Sequence, residues 1–291
     1  MLAAWNPRRD WLLEAVASAL DERDVELELL AVDDGSEPPV AELLAGVDDP
    51  RLRVLRVPHG GESRARNAGI AAARGDFFRF VDADDVLVPG STARLLALAE
   101  REPVSIAYGA TVICDGELRP RWTMRADVQG RGDVACLLGR LFARVPAMLF
   151  PRAAVEAAGE WDPGFRVSHD WDFTLRALEH APLRGDGLPA VLYRKHGGGA
   201  TTATAAGLAG AQRVLRRWLE RHPEARGTRL ERRATAALEA MRARVLATHG
   251  RPREALPHLA RSLRDPRALA GELRRALPAA RAKLGVRKRG E

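Results

Sequence analysis

The chain has 291 residues, of which 46% are hydrophobic and 29% charged, with 46 Lys+Arg against 39 Asp+Glu for a net charge of +7. That length can bury one large core with a smaller addition. No apolar stretch reaches the roughly 18–20 residues of a membrane span, and the amino terminus lacks a basic-then-apolar signal pattern, so the reading is a cytoplasmic protein. Cys114 and Cys136 show no metal-ligand spacing and read as small core residues.

In chain order, the first clear element is the apolar run Glu26-Leu27-Glu28-Leu29-Leu30-Ala31-Val32, a strand that ends in Asp33-Asp34-Gly35-Ser36. A glycine loop follows at Gly60-Gly61, and Glu62-Ser63-Arg64-Ala65-Arg66-Asn67 opens a helix that Gly75 is expected to close. Arg64 and Arg66 fall in the first turn of that helix, where cations oppose the positive end of the helix dipole; an anion nearby would explain the placement. The run Phe77-Phe78-Arg79-Phe80-Val81 is a second strand, and it leads directly into Asp82-Ala83-Asp84-Asp85.

Three carboxylates in four residues at the mouth of a buried strand repel one another and are costly to desolvate. A solvated Asp-rich turn ahead of the next helix would account for such a tetrad on its own, because Pro89-Gly90-Ser91 reads as a helix entry. A divalent cation would account for it too: Mg²⁺ or Mn²⁺ takes carboxylate oxygens and commonly bridges a protein to phosphates. The two strand-plus-acid units, separated by helical stretches, predict an α/β sheet with parallel strands. In such sheets ligands bind outside the carboxyl ends of the strands, so both acidic clusters would share one edge.

Further along, Val104 to Ile113 is strand material leading to an Asp115-Gly116 turn, and Ala147 to Phe150 is a short strand. Trp122, Met124 and Arg125 lie between. From Gly197 to Gly210 the sequence is rich in Gly, Ala and Thr, and the composition changes there: residues 205–291 carry 22 Lys+Arg against 8 Asp+Glu, or +14, leaving 24 against 31, or −7, for residues 1–204. Ala211–Arg221, Leu230–Thr248, Glu254–Leu263 and Leu269–Leu277 each have helical spacing, with His249-Gly250-Arg251-Pro252 a break. The segment GRPREALPHLARSL resembles one helix of a tetratricopeptide-like hairpin. Basic amphipathic helices, with Lys283 to Arg289 behind them, suit an anionic membrane surface. A nucleic-acid partner is not expected, because no binding motif or interleaved aromatics accompany the charge.

Taken together, VDDGS, then G-x-S-x-ARN-x-G, then ARGD, then FVDADD-x-L-x-PG resemble the family 2 glycosyltransferases of the GT-A fold. The likeness continues through Gly159-Glu160-Trp161-Asp162-Pro163-Gly164-Phe165 and His169-Asp170-Trp171-Asp172 to Tyr193-Arg194-Lys195-His196 and Thr201. It implies a GT-A catalytic domain over residues 1–204, Rossmann-like in its nucleotide-binding sheet, and a basic α-helical region over 205–291.

The resemblance also implies roles. Asp33 or Asp34 would recognise the base of a nucleotide-sugar donor, with Arg66 near the base or phosphates. Asp82 and Asp84 would be the DxD pair, Asp84 a direct metal ligand and Asp82 on ribose or metal. His196 would reach the diphosphate or the metal. Asp170 would be the general base on a hydroxyl acceptor (a glycan, a lipid-linked intermediate or a small metabolite), giving inversion. Trp122, Met124 and Arg125 would be near the acceptor. UDP is the default nucleotide.

The chain departs from the pattern in three ways. His169 stands where the family usually has Glu. Only Met1-Leu2-Ala3-Ala4-Trp5-Asn6 stands for the first strand, which leaves a non-catalytic, scaffold-like relative as the alternative. Gly197-Gly198-Gly199-Ala200 makes a flexible loop, suited equally to a lid and to a surface turn. Nucleotidyl transfer onto a sugar phosphate would also use metal carboxylates, but no Gly-rich, Lys-containing loop lies near residue 10.

Overall fold

The computed structural model describes residues 1–101, 103–138, 144–196, 205–248, 250–266 and 270. In chain order its elements begin β1 (Leu2–Ala4), α1 (Arg9–Leu20), β2 (Leu29–Asp33), α2 (Val40–Leu43), β3 (Leu52–Arg56) and α3 (Glu62–Ala72). They continue with β4 (Phe77–Phe78), β5 (Val81–Asp82), β6 (Val86–Leu87), α4 (Ser91–Ala99), β7 (Ile106–Cys114), β8 (Pro120–Met124) and α5 (Gly132–Leu137). The remainder are β9 (Met148–Pro151), α6 (Arg152–Ala158), α7 (His169–Ala177), β10 (Leu183–Arg194), α8 (Ala205–Arg221), α9 (Arg229–Thr248) and α10 (Pro252–Ser262). The chain forms two compact units. The described residues of 1–132, 144–164 and 173–196 make the first; those of 133–138, 165–172 and from 205 onward make the second.

The first unit holds two sheets. One is four-stranded and parallel in the order β3-β2-β1-β5; the other runs β4-β9-β7-β10-β6, with β8 paired to β7. The α/β class expected from the sequence is therefore found. The three residues of β1 suffice for a strand because both of its edges are paired, Leu2 with Ala31 on one side and with Val81 on the other. Leu2, Leu12, Val16, Leu29, Val81 and Leu95 join one buried core. Helix α3 packs closely on β2: a Cβ at Gly69 would stand 3.0 Å from Val32 Cγ2, so the glycine permits the approach.

Several expected boundaries move. The strand drawn at 26–32 is Leu29–Asp33, so Asp33 itself is a ladder residue. Helix α3 ends at Ala72, before Gly75, with Ala73 already extended. The run Phe77 to Val81 is not one strand. Phe77 and Phe78 pair antiparallel with β9 in the second sheet, whereas Val81 and Asp82 pair parallel with β1 in the first.

The turn between them is held by Arg79, a buried cation. Its guanidinium donates to the Pro146 carbonyl at 3.1 Å, Ser91 Oγ at 3.0 Å, Thr92 Oγ1 at 2.5 Å and the Ala190 carbonyl at 2.8 Å. Glu22 lies 3.8 Å away. Burial pulls the Arg79 guanidinium down to about 10, against the opposing pull of Glu22. The hydrogen bonds offset the desolvation of the charge.

An aromatic cluster sits beneath the same turn. Trp161 stacks on Phe173 with centroids 4.1 Å apart, and Phe80 meets Trp161, Phe150 and Phe173 edge-on. Asn67 on α3 fixes the backbone of Trp161 from both sides. Its Nδ2 donates to the Trp161 carbonyl at 2.9 Å, and the Trp161 amide donates to its Oδ1 at 2.8 Å.

In the second unit α9 and α10 form a helical hairpin that turns at Gly250, whose φ is +76°. Glu239, buried on α9, accepts from His258 Nδ1 at 2.7 Å and lies 3.3 Å from Arg261. The expected tail helices at 211–221, 230–248 and 254–263 correspond to α8, α9 and α10. Those at 269–277 and the 283–289 terminus, like the 197–200 loop, lie outside the described residues. No helix among the described residues is long and apolar enough to cross a membrane.

Asn67→Ala removes both bonds and leaves a backbone amide and carbonyl unpaired, at about 1–3 kcal/mol for each buried group left unsatisfied. Urea unfolding is expected to show a loss of about 2 kcal/mol, while Arg64→Ala, on the exposed side of the same helix, stays within about 0.5 kcal/mol.

Candidate active site

The carboxyl ends of β2 and β5 are neighbours across β1, so the two acidic turns lie along one edge of the parallel sheet. Their carboxylates do different work. Asp33 is fully buried and points into its own turn, where Oδ1 accepts from the Ser36 amide at 2.7 Å and Oδ2 from the Val40 amide at 3.1 Å. Asp34 reaches across to the glycine loop. It accepts from the Gly60 and Gly61 amides at 2.8 and 2.9 Å, and lies 2.9 Å from His59 Nδ1. The carboxylate thus fixes the loop that starts α3.

Beside it, Trp5 is 57% exposed and stacks on the His59 ring, 4.7 Å between centroids. Neither side chain stands out in the sequence as part of a site. Both become legible only when the turn after β1 meets the loop before α3.

Arg66 is 4% exposed and lies over the Trp161 ring at 4.3 Å. Its Nη2 donates to Asp82 Oδ1 at 2.9 Å and pairs with Glu62 at 2.5 Å. The buried aromatic face and Asn67 therefore set the position of Arg66, and Arg66 sets one oxygen of Asp82. Arg64, by contrast, is exposed to solvent.

Asp82, Asp84 and Asp85 bring one carboxylate oxygen each to within 4.8 Å of one another. Asp84 Oδ2 is 2.7 Å from His196 Nε2. Asp85 is fully buried; its Oδ1 accepts from the Arg194 amide at 2.9 Å, and its Oδ2 has no hydrogen-bond partner among the described residues. Burial, then the charges of Asp82 and Asp84, push the Asp85 carboxyl well above the usual carboxylate range. Such a triad, with a buried orphan oxygen, fits the oxygen donor set of Mg²⁺ or Mn²⁺. Asp85 belongs to this group as fully as the Asp82 and Asp84 of the expected pair.

Behind the triad stands Arg194, at the end of β10. It donates to the Asp84 carbonyl at 2.8 Å and the Gly116 carbonyl at 2.6 Å, and pairs with Glu14 of α1. Trp11 of α1 is the common surface for this end of the site: Arg8 lies over its ring at 4.1 Å, Arg194 at 4.8 Å, and His196 meets it at 4.7 Å. The cation–π and ring contacts hold His196 where it reaches Asp84.

Asp170 belongs to the second unit, in the first turn of α7, and its Oδ1 accepts from the Trp171 amide at 2.8 Å. In the same unit Trp171 Nε1 donates to the Cys136 carbonyl at 3.2 Å, and Asp172 is buried with Arg217 at 3.6 Å. Cys114 and Cys136 are buried and form no disulfide with each other. On the β-hairpin of the first unit, Trp122 pairs with Ile113, and Lys195 lies over its ring at 5.7 Å.

The raised Asp85 carboxyl gives a pH signature. With no metal bound, the folded chain keeps the Asp85 proton to a higher pH than the unfolded chain does. The associated stability is fully present below the ordinary carboxylate pKa and is lost as pH rises through the raised folded value. In EDTA at pH 7.5, Asp85→Asn is therefore expected to raise the thermal midpoint, by roughly 2–4 °C for each kcal/mol relieved. The gain should shrink as the pH is lowered to 4. A lower midpoint than wild type at pH 7.5 would refute the uncompensated carboxylate.

Residues 2–157 match the model of Glycosyl transferase family 2. The succinoglycan biosynthesis protein ExoO of Rhizobium meliloti is 31% identical over 195 residues, which is 64% of this chain and 50% of that protein. A PGL/p-HBAD biosynthesis glycosyltransferase of Mycobacterium bovis is 29% identical over 163 residues, 54% of this chain and 60% of that one. The chain thus spans half to three-fifths of the length of these relatives. Among solved structures, S. aureus TarS 1-349 in complex with UDP-GlcNAc superposes with a TM-score of 0.58 at 15% identity, over 94% of this chain and 90% of that one, a likeness of fold. With its family model matched over more than half its length, this chain belongs to glycosyl transferase family 2, built on the GT-A fold.

Proposed function

We propose that the protein is a metal-dependent inverting glycosyltransferase that moves a sugar from a nucleoside-diphosphate sugar to a hydroxyl acceptor in polysaccharide or glycoconjugate biosynthesis. The observation that carries this reading is the Asp82–Asp84–Asp85 triad beside His196, at the carboxyl edge of a parallel sheet. The names of the relatives point the same way, since they speak of succinoglycan and of PGL/p-HBAD biosynthesis. A UDP-sugar is the donor in this reading, in line with the UDP-GlcNAc of the TarS complex.

In this reading Asp82, Asp84 and Asp85 hold Mg²⁺ or Mn²⁺, with His196 at the diphosphate or the metal. The bound cation supplies charge stabilisation to the departing nucleoside diphosphate. Arg66 orients Asp82 and adds positive charge near the phosphates. Asp34 and the loop it ties down, with the exposed face of Trp5, make the base end; Asp33 supports the turn beneath. Asp170 takes the proton of the acceptor hydroxyl as it attacks the anomeric carbon, while the bond to the diphosphate breaks on the opposite side, so configuration inverts. Trp122, Met124 and Arg125 approach the acceptor, which is a glycan, a lipid-linked intermediate or a small metabolite. Residues 1–204 serve as the catalytic domain. The basic helices of 205–291 attach it to an anionic membrane surface on the cytoplasmic side.

Calorimetric titration with UDP and other nucleoside diphosphates tests the donor site. Wild type is expected to bind one nucleotide tightly only with Mn²⁺ present, and Asp84→Ala to lose that dependence while keeping its fold. Equal Mn²⁺-dependent binding by Asp84→Ala would sink the metal assignment, and failure of folded wild type to bind any nucleotide would favour a non-catalytic relative.

For the transfer step, Asp170→Asn is expected to bind donor as wild type does and to lose about 10²-fold or more in turnover. Unchanged turnover would remove Asp170 as the base.

A further inference from the structure

Among the described residues, three exposed large apolar side chains fall close together in sequence, on α10 and at the residue that follows it. Leu256 is 62% exposed, Leu259 36% and Leu263 56%. Their spacing of three and four residues puts them on one helical face. The adjoining face of α10 is committed to α9: Ala255 and Ser262 are buried and His258 bonds Glu239, while Asp265, past the end of the helix, accepts from Arg233 at 2.8 Å. Leu256 and Leu263, each more than half exposed, are left uncovered by that packing.

Their flank carries charge of one sign. Arg253 on α10 and Arg264, two residues past its end, are both exposed. Neither has a carboxylate partner among the described residues, whereas the neighbouring Arg251 and Arg261 are paired with Glu254 and Glu239. Residues 205–291 as a whole carry 22 Lys+Arg against 8 Asp+Glu.

We propose that this face of α10 lies on an anionic lipid surface, with Leu256, Leu259 and Leu263 entering the headgroup boundary and Arg253 and Arg264 pairing with lipid phosphates. A narrow apolar stripe edged by unpaired cations is what such a surface accepts: burial of the leucines and attraction of the arginines act together, and neither suffices alone. A second copy of the chain fits less well. A stable protein interface buries about 800 Å² on each partner and is depleted of charge at its core. A two-fold contact through one helical stripe would be smaller than that and would bring the same arginines toward each other. The inference specifies the surface behind the membrane attachment proposed above and is independent of the donor chemistry.

The test is flotation of the full chain with phosphatidylcholine vesicles, with and without 30% phosphatidylglycerol, at low and high salt. Wild type is expected to float with the anionic vesicles only, and less at high salt. Leu256→Ser/Leu263→Ser and, separately, Arg253→Glu/Arg264→Glu should each weaken partitioning at least 10-fold. Unchanged circular dichroism and unchanged Mn²⁺-dependent UDP binding would show that the fold and the donor site persist. Wild-type flotation with both variants floating equally would overturn the α10 surface while leaving membrane attachment to other basic residues. No flotation of wild type would overturn both. A concentration-dependent dimer that Leu256→Ser/Leu263→Ser abolishes, without flotation, would assign the face to a second copy instead. Each of these outcomes leaves the donor site to be judged by its own titration.

Discussion

The placement of the acidic tetrad depends on one buried cation. Arg79 interrupts what reads as a continuous apolar strand, and its guanidinium gathers acceptors from the 3₁₀ turn before β9, the start of α4 and the interior of β10. Because those bonds are satisfied, the chain can leave the second sheet at Phe78 and join the first at Val81. The tetrad that follows then emerges where the two sheets meet. A leucine at 79 would suit the hydrophobic pattern better, but nothing would then anchor the crossing. Buried charge is costly unless it is fully hydrogen-bonded, and here it is retained with its bonds made.

The site itself is assembled by contacts between sequence motifs rather than within them. The Asn67 amide grips the backbone of Trp161, the indole of Trp161 supports Arg66, and Arg66 holds Asp82. Three short motifs separated by up to 94 positions in the chain thereby become one rigid relay. On the other flank Trp11, Arg194 and His196 do the same for Asp84. Among the described residues Asp85 Oδ2 has no hydrogen-bond partner, so this carboxylate is left electrostatically unresolved by the protein. Positive charge from a ligand would resolve it, and a site preorganised in this way needs little rearrangement to accept one.

The short first strand illustrates how tertiary structure overrides a weak local signal. Three residues have little intrinsic tendency to form a strand, yet Leu2–Ala4 is the second strand from one edge, with hydrogen-bonded neighbours on both sides. Placing it there puts Trp5 and Asn6 at the carboxyl edge, where the Asn6 amide donates to Ser36 Oγ at 3.0 Å. The brevity of the strand is thus compatible with full pairing at this place in the sheet.

By itself the sequence determined the fold class, the family, and which acids end up at the sheet edge. Apolar runs that end in carboxylates, spaced by helical segments, allow few arrangements of a parallel sheet, and the order of the motifs excludes most of those. It also located α9, α10 and the end of α8 closely, because their apolar spacing and the break near Gly250 are local properties of the chain, though α8 starts earlier, at Ala205. What it did not determine was the work of each side chain. That Asp33 is spent on its own turn while Asp34 holds the glycine loop, that Phe77–Val81 divides between two sheets, and that Trp11 and Trp161 brace the two flanks of the triad are all consequences of long-range packing. No periodicity encodes such contacts: they arise only when elements distant in sequence compete for the same buried space and the same hydrogen bonds.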